Sequence, residues 1–151
     1  MRREDLVTHE RQLHSLGDVI EGYAQLGIRV EEEHRRVPAH RLIATQNAIE
    51  QEKYDLVLEL IREGLLDVPV LVEEHFTEHG YERYLIDGHT RVRGLIELGH
   101  RSVDAFVIYS PAGTWRSNFV RVADQYGNVL VKDLPILPRG RRIVPPPSNE
   151  E

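Results

Sequence analysis

The chain has 151 residues, of which 40% are hydrophobic and 29% charged, with a formal net charge of −6. This length supports one domain with a real core, and the composition is that of a soluble globular protein. The negative balance argues against a general nucleic-acid binder, and the absence of cysteine removes disulfides, thiolate zinc sites and cysteine nucleophiles.

No apolar run approaches the roughly 20 residues that cross a bilayer. Met1 to Asp5 opens on charge with no apolar signal segment behind it, so a cytoplasmic protein is expected.

Residues 4–26 carry Leu6, Leu13, Leu16, Val19, Ile20, Tyr23 and Leu26, largely three or four apart. That spacing predicts an amphipathic helix, interrupted near Gly17, able to pack on its own domain or on a second copy in a homodimer. Glu31 to Arg36 is a mixed charge run and reads as an exposed connector or strand end. Val37-Pro38 and Leu42-Ile43 predict an extended segment, because proline disfavours helix before it.

Thr45 to Gly64 predicts the next helix, with Ile49, Leu56, Val57, Leu60 and Ile61 as its stripe and Gly64 as its stop. Asn47 and Glu50 have the spacing of a capping box. Lys53, one turn on, reads as an exposed partner for Glu50. Asp67 to Val72 predicts a strand, and the polar stretch Glu73 to Gly80 a hairpin loop. His75 and His79 in it have metal-ligand spacing but read as a solvated pair.

Tyr81 to Ile86 predicts the returning strand. The apolar residues Val92, Leu95, Ile96 and Leu98 predict a helix from Thr90 that ends at Gly99. Ser102 to Tyr109 alternates as a strand, and Ser110 to Gly113 is a turn. Phe119 to Val122 fits a strand or a short helix. Tyr126-Gly127-Asn128 is a turn, and Val129 to Val131 a short strand. Trp115, with Arg116, Ser117, Asn118 and Arg121, reads as a partly buried core tryptophan or as a clamp on a nucleotide base. From Pro135 the chain bears proline and arginine. Arg139, Arg141 and Arg142 read as a solvated segment, and Pro145 to Ser148 as disordered or extended. No internal repeat is evident.

The most informative stretch is Tyr84 to Gly99. A strand feeds directly, through Asp87-Gly88, into a helix whose first turn carries His89, Thr90 and Arg91. Free N–H groups at a helix N-terminus, backed by the dipole, form an anion site. An arginine there opposes the dipole, and a phosphate would satisfy its charge together with the Thr90 hydroxyl and the amides. The plainer reading is a turn at Asp87-Gly88 with His89 and Thr90 as caps.

The order of elements over about residues 37–109, and above all Ile86-Asp87-Gly88-His89-Thr90-Arg91-Val92-Arg93-Gly94 followed by Glu97-Leu98-Gly99, resembles the ParB/sulfiredoxin-like domain superfamily. The loop looks like the Gly-Glu-Arg-Arg of ParB proteins and the Gly-Cys-His-Arg of sulfiredoxins. It is closer still to the Asp-Gly-His-His-Arg of ADP-dependent free serine kinases. The resemblance implies an α/β (α+β) fold, a mixed sheet with packed helices. An N-terminal helical extension (1–36) and a C-terminal extension (110–151) would flank it.

By position it implies that Gly88, His89, Thr90 and Arg91 cradle nucleotide phosphates of ATP or ADP. Asp87 would lie beside the transferring phosphoryl group and a Mg²⁺ ion. The catalytic base of the kinase type falls on Glu50, with Gln46 and Glu52 as competing alignments. Sulfinic acid repair is excluded, since His89 replaces the required cysteine. Residues after Tyr109 do not read as a helix-turn-helix, so DNA is not expected as a partner. The expected function is nucleotide binding with Mg-dependent phosphotransfer or phosphohydrolase activity. The alternatives are a nucleotide-responsive binding module without turnover and a metal-dependent nuclease, the last opposed by the acidic charge.

Overall fold

A computed structural model describes residues 6–138. The arginine run from Arg139 and the Pro145 to Ser148 segment lie outside the described residues. The fold is α+β, with a mixed four-stranded sheet in the order β1 (Glu31–Pro38), β5 (Ser102–Tyr109), β3 (Val70–Thr77), β4 (Gly80–Asp87).

Helix α1 (His9–Gln25) begins at Thr8, whose side chain accepts the Arg11 N–H. It runs unbroken through Gly17 and Gly22, which corrects the expected interruption. Neither glycine has a neighbour that would crowd a side chain, and the helix is held by packing rather than propensity. Strand β1 (Glu31–Pro38) is longer than its charge suggested. It pairs antiparallel with β5 (Ser102–Tyr109) along its whole length, from Glu31 opposite Tyr109 to Pro38 opposite Ser102. A 3₁₀ turn, Ala39–Arg41, follows. The chain then runs extended beside the edge of β4, where Ile43 bridges Tyr84 on one side and Leu130 on the other.

Strand β2 is only Ile49–Glu50. Helix α2 therefore starts at Gln51 and ends at Arg62, and Glu50 caps it by backbone position without a side-chain bond. The expected capping box does not form, because residues 49–50 are extended to pair in parallel with β6 (Ile136–Leu137). The carbonyl oxygen of Pro135 accepts the Ile49 N–H at 2.9 Å.

Strand β3 (Val70–Thr77) and strand β4 (Gly80–Asp87) form a tight hairpin. The residues expected in a polar loop are thus strand, and Glu73, Glu74 and His75 are buried in it. Polar composition hid a strand whose carboxylates and imidazole are matched by partners rather than by water. Helix α3 (His89–Glu97) follows, and β3 then pairs in parallel with β5. Phe119 to Val122, which fits a strand or a short helix by sequence, belongs to helix α4 (Asn118–Gln125), capped by the Ser117 hydroxyl. The short strand expected at 129–131 is a single bridge running into a 3₁₀ turn, Val131–Asp133.

The main core lies between the sheet and helices α2 and α3. It includes Val37, Ile49, Val72, Leu85 and Val92, and also Val131 and Leu134 from the C-terminal segment. Helix α1 covers the opposite face of the sheet, where Leu16 meets Leu71, Phe106 and Ile108. Among the described residues no helix is long and apolar enough to cross a membrane.

Candidate functional site

Three elements build the site: the end of β4, the first turn of α3, and the start of α2. Gly88 links strand to helix at φ 113°, a left-handed conformation that side chains rarely adopt. A Cβ there would stand 2.5 Å from Val70 Cγ1 and 2.9 Å from Val70 Cβ, so the loop backbone lies directly on β3. The ladder of α3 begins with the Val92 N–H donating to Gly88 O at 2.9 Å, and no side chain caps the helix. The amides of His89, Thr90 and Arg91 precede that first bond.

A pocket of about 70 Å³ opens against this turn. Asp87 to Arg91 form one wall, Gln46 and Lys53 another, and Leu6 and Val7 close it from the N-terminal side. Lys53 has no ion pair among the described residues, so the partnership with Glu50 expected from spacing does not form.

His89 is buried, and its Nε2 accepts the Thr45 N–H at 3.0 Å. Burial, and after it the charges of Lys53 and Arg91, push its pKa down to about 3. The ring is therefore neutral at pH 7 with its proton on Nδ1, a donor without charge.

Arg91 overturns part of the sequence reasoning. Its guanidinium is buried and already engaged by protein. Nη1 donates to Val68 O at 2.8 Å and Pro69 O at 3.0 Å, and Nη2 donates to Gln12 Oε1 at 2.7 Å. Asp87 Oδ2 lies 3.8 Å from Nη2. Burial lowers the Arg91 pKa to about 10, with Asp87 pulling the other way, and the group stays charged at neutral pH. A bound polyanion is thus not needed to account for this arginine. Gln12, fully buried on α1, also donates from Nε2 to Asp87 Oδ2 at 3.2 Å. One amide thereby joins the N-terminal helix to both charged residues of the loop.

The structure brings Asp87, Gly88, His89, Thr90 and Arg91 together and adds Gln46 and Lys53. Glu50, at the N-cap of α2, is not among the residues around the pocket. His75 and His79 do not converge. His75 is inside β3, His79 sits at the hairpin tip, and among the described residues no cluster of three or more His, Cys, Asp or Glu side chains could hold a metal. Trp115 packs edge-on against Tyr23 at 5.1 Å and tilted on His75 at 4.5 Å, away from the α3 pocket.

Gln12 and Lys53 were not singled out as site residues, yet each left a trace in the sequence. Gln12 falls in phase with Leu16, Val19 and Tyr23, and Lys53 in phase with Val57 and Leu60. A polar residue on an apolar stripe must find a partner inside.

No family model matches the chain. An uncharacterized protein of Methanocaldococcus jannaschii is 29% identical over 94 residues, which is 62% of this chain and 34% of that protein. The chain thus spans about a third of the curated relative it matches. Among solved structures, a protein from Agrobacterium tumefaciens shares 23% identity at a TM-score of 0.43, over 64% of this chain and 49% of that one. A free serine kinase in complex with ADP shares 18% identity at 0.41, over 50% of this chain and 30% of the kinase. A Pnob8-like ParB-N domain shares 20% at 0.38, over 54% and 30%. The chain is similar to a ParB-N domain and to a free serine kinase. At TM-scores under 0.5 that likeness carries no weight in assigning the site, which stands on its own residues.

Proposed function

We propose that this chain is a ParB/sulfiredoxin-like domain that binds ATP or ADP through a phosphate group seated at the N-terminus of α3. The observation that carries the reading is Lys53, a cation without an acidic partner among the described residues, which lines the same small pocket as Thr90 and the first amides of the helix. Helix dipole, hydroxyl and ammonium then act on one anion. Arg91 holds the loop in shape instead of touching the ligand. A pocket of about 70 Å³ suits one tetrahedral anion, so the nucleoside would lie outside it, past Leu6 and Val7.

Asp87 fits a Mg²⁺ ion that is held mainly by the phosphates and water. It is half-exposed, and its Oδ2 is met by the 3.2 Å bond from Gln12 and, at 3.8 Å, by Arg91 Nη2. The ion would neutralise phosphate charge, and Asp87 would position it. Phosphotransfer or phosphohydrolysis is the finer form of this proposal, with Glu50 as the base. A nucleotide-responsive module without turnover is the second reading, and the place of Glu50 outside the pocket favours it.

The test is thermal unfolding with ADP, ATP and inorganic phosphate, each with and without Mg²⁺. A ligand at 100 times its Kd stabilises by about 2.7 kcal/mol, or a Tm rise of about 5–10 °C for a domain of this size. Lys53→Ala, on a partly exposed residue, should remove most of that rise. No shift with any of these ligands, or an equal shift in Lys53→Ala, refutes the proposal. Release of ADP or AMP from Mg-ATP separates turnover from binding.

A further inference from the structure

On the sheet face covered by α1, β3 carries a second polar cluster that shares no residue with the lining of the α3 pocket. Glu73 is fully buried and accepts hydrogen bonds from the Tyr23 hydroxyl and the Ser117 hydroxyl. It also accepts from His75 Nε2, at 2.7 Å. Among the described residues no lysine or arginine pairs with it. A carboxylate only accepts, so Nε2 carries a proton, and a ring holding that one proton presents the Nδ1 lone pair. Thr114 Oγ1 lies 2.6 Å from that Nδ1, and its proton is therefore aimed at the ring.

We propose that Thr114, His75 and Glu73 form a hydroxyl–imidazole–carboxylate relay that hydrolyses small aryl esters. The arrangement meets the requirements of an activated nucleophile: a hydroxyl on a base, and a base oriented by a third group. Thr114 is exposed where two clefts of about 660 Å³ each meet. Phe76 and Tyr81, both more than 60% exposed, pack edge-on at 4.9 Å beside the first cleft and offer an aromatic wall for an aryl group. The second cleft, lined by Trp115 and Arg116, leaves room for the other half of the ester.

The step balances within these residues and water. Thr114 Oγ attacks the ester carbonyl carbon while its proton passes to His75 Nδ1. The bond to the alcohol oxygen breaks, and the alcohol leaves with that proton. Water then attacks the acyl-threonine through the same base, releasing the carboxylic acid and restoring Thr114. Glu73 is a positioning residue that fixes the tautomer and stabilises the imidazolium.

The experiment uses the full chain with 4-nitrophenyl acetate, following nitrophenol release and mapping the acetyl group by peptide mass spectrometry. Expected are turnover above buffer and an acetyl adduct on Thr114, both lost in Thr114→Ala and kept in Thr114→Ser. His75→Gln should lower kcat by about 10²- to 10⁴-fold. Glu73→Gln should lower kcat with little change in KM, because an amide no longer enforces the proton on Nε2. Wild-type turnover no faster than buffer, an adduct confined to other residues, or turnover unchanged in Thr114→Ala overturns the proposal. Thr114 is exposed, so its variants test it even if His75→Gln fails to fold.

Discussion

Gln12→Leu tests the clasp between α1 and the loop. The substitution keeps the apolar volume but strips Arg91 Nη2 of its 2.7 Å acceptor and Asp87 of its 3.2 Å donor. A hydrogen bond to a buried charged group contributes about 1.5–3 kcal/mol, and part of that returns through the better transfer of leucine. The expected loss is about 2 kcal/mol, a Tm fall of about 4–8 °C. Arg91→Met alone leaves Val68 O, Pro69 O and Gln12 Oε1 without a donor, and breaking a buried charged contact from one side costs about 3–5 kcal/mol. The two sites share one contact, so their effects should not add. Once the guanidinium is gone, losing Gln12 matters less, and the double variant should be about 1–2 kcal/mol more stable than the sum of the singles predicts. Urea unfolding of all four proteins closes the cycle. Additivity within about 0.5 kcal/mol would mean that Gln12 and Arg91 do not act together.

Three further outcomes follow from the same site. His89 has a folded pKa of about 3 against an ordinary 6.5, so the unfolded chain takes up the proton first as pH falls. Its contribution is complete above pH 6.5 and is lost toward pH 3 at up to about 1.4 kcal/mol per unit, a slope that His89→Gln should reduce in urea titrations between pH 6.5 and 5. Gly88→Ala places a Cβ 2.5 Å from Val70 Cγ1 at φ 113°, and should cost more than about 3 kcal/mol from clash and backbone strain together. Adding Val70→Ala removes the 2.5 Å contact with Cγ1 but leaves the 2.9 Å contact with the residue 70 Cβ and the backbone strain, so unfolding should show only a partial rescue.

The sequence exposed the outline of the fold because its strongest signals were local. The stripes of α1, α2 and α3, the alternation in Ser102 to Tyr109, and the glycines at 64 and 99 each report on a few neighbouring residues. What stayed hidden depends on partners distant in sequence. Glu73 and His75 read as loop because their burial is matched by Tyr23 and Ser117, 50 and 44 residues from Glu73. The true start of α2 was masked by pairing between residue 49 and residue 136. The loop 87–91 was legible from its strand–turn–helix pattern, but the partners of Arg91 were not. Its charge is met by Gln12, 79 positions away, and by two carbonyls that no side-chain motif can announce.

The pairing of β2 with β6 has a consequence for how the molecule is made. The start of α2, one turn before Lys53, is fastened by a segment synthesised more than 80 residues later. A nascent chain that has already assembled the hairpin and α3 still lacks Val131 and Leu134 from its interior and the Pro135 carbonyl that receives the Ile49 amide. Such long closures are entropically slow. During translation the pocket should therefore be one of the last regions to acquire its shape, and until then the helix bearing Lys53 would be open to chaperones and proteases.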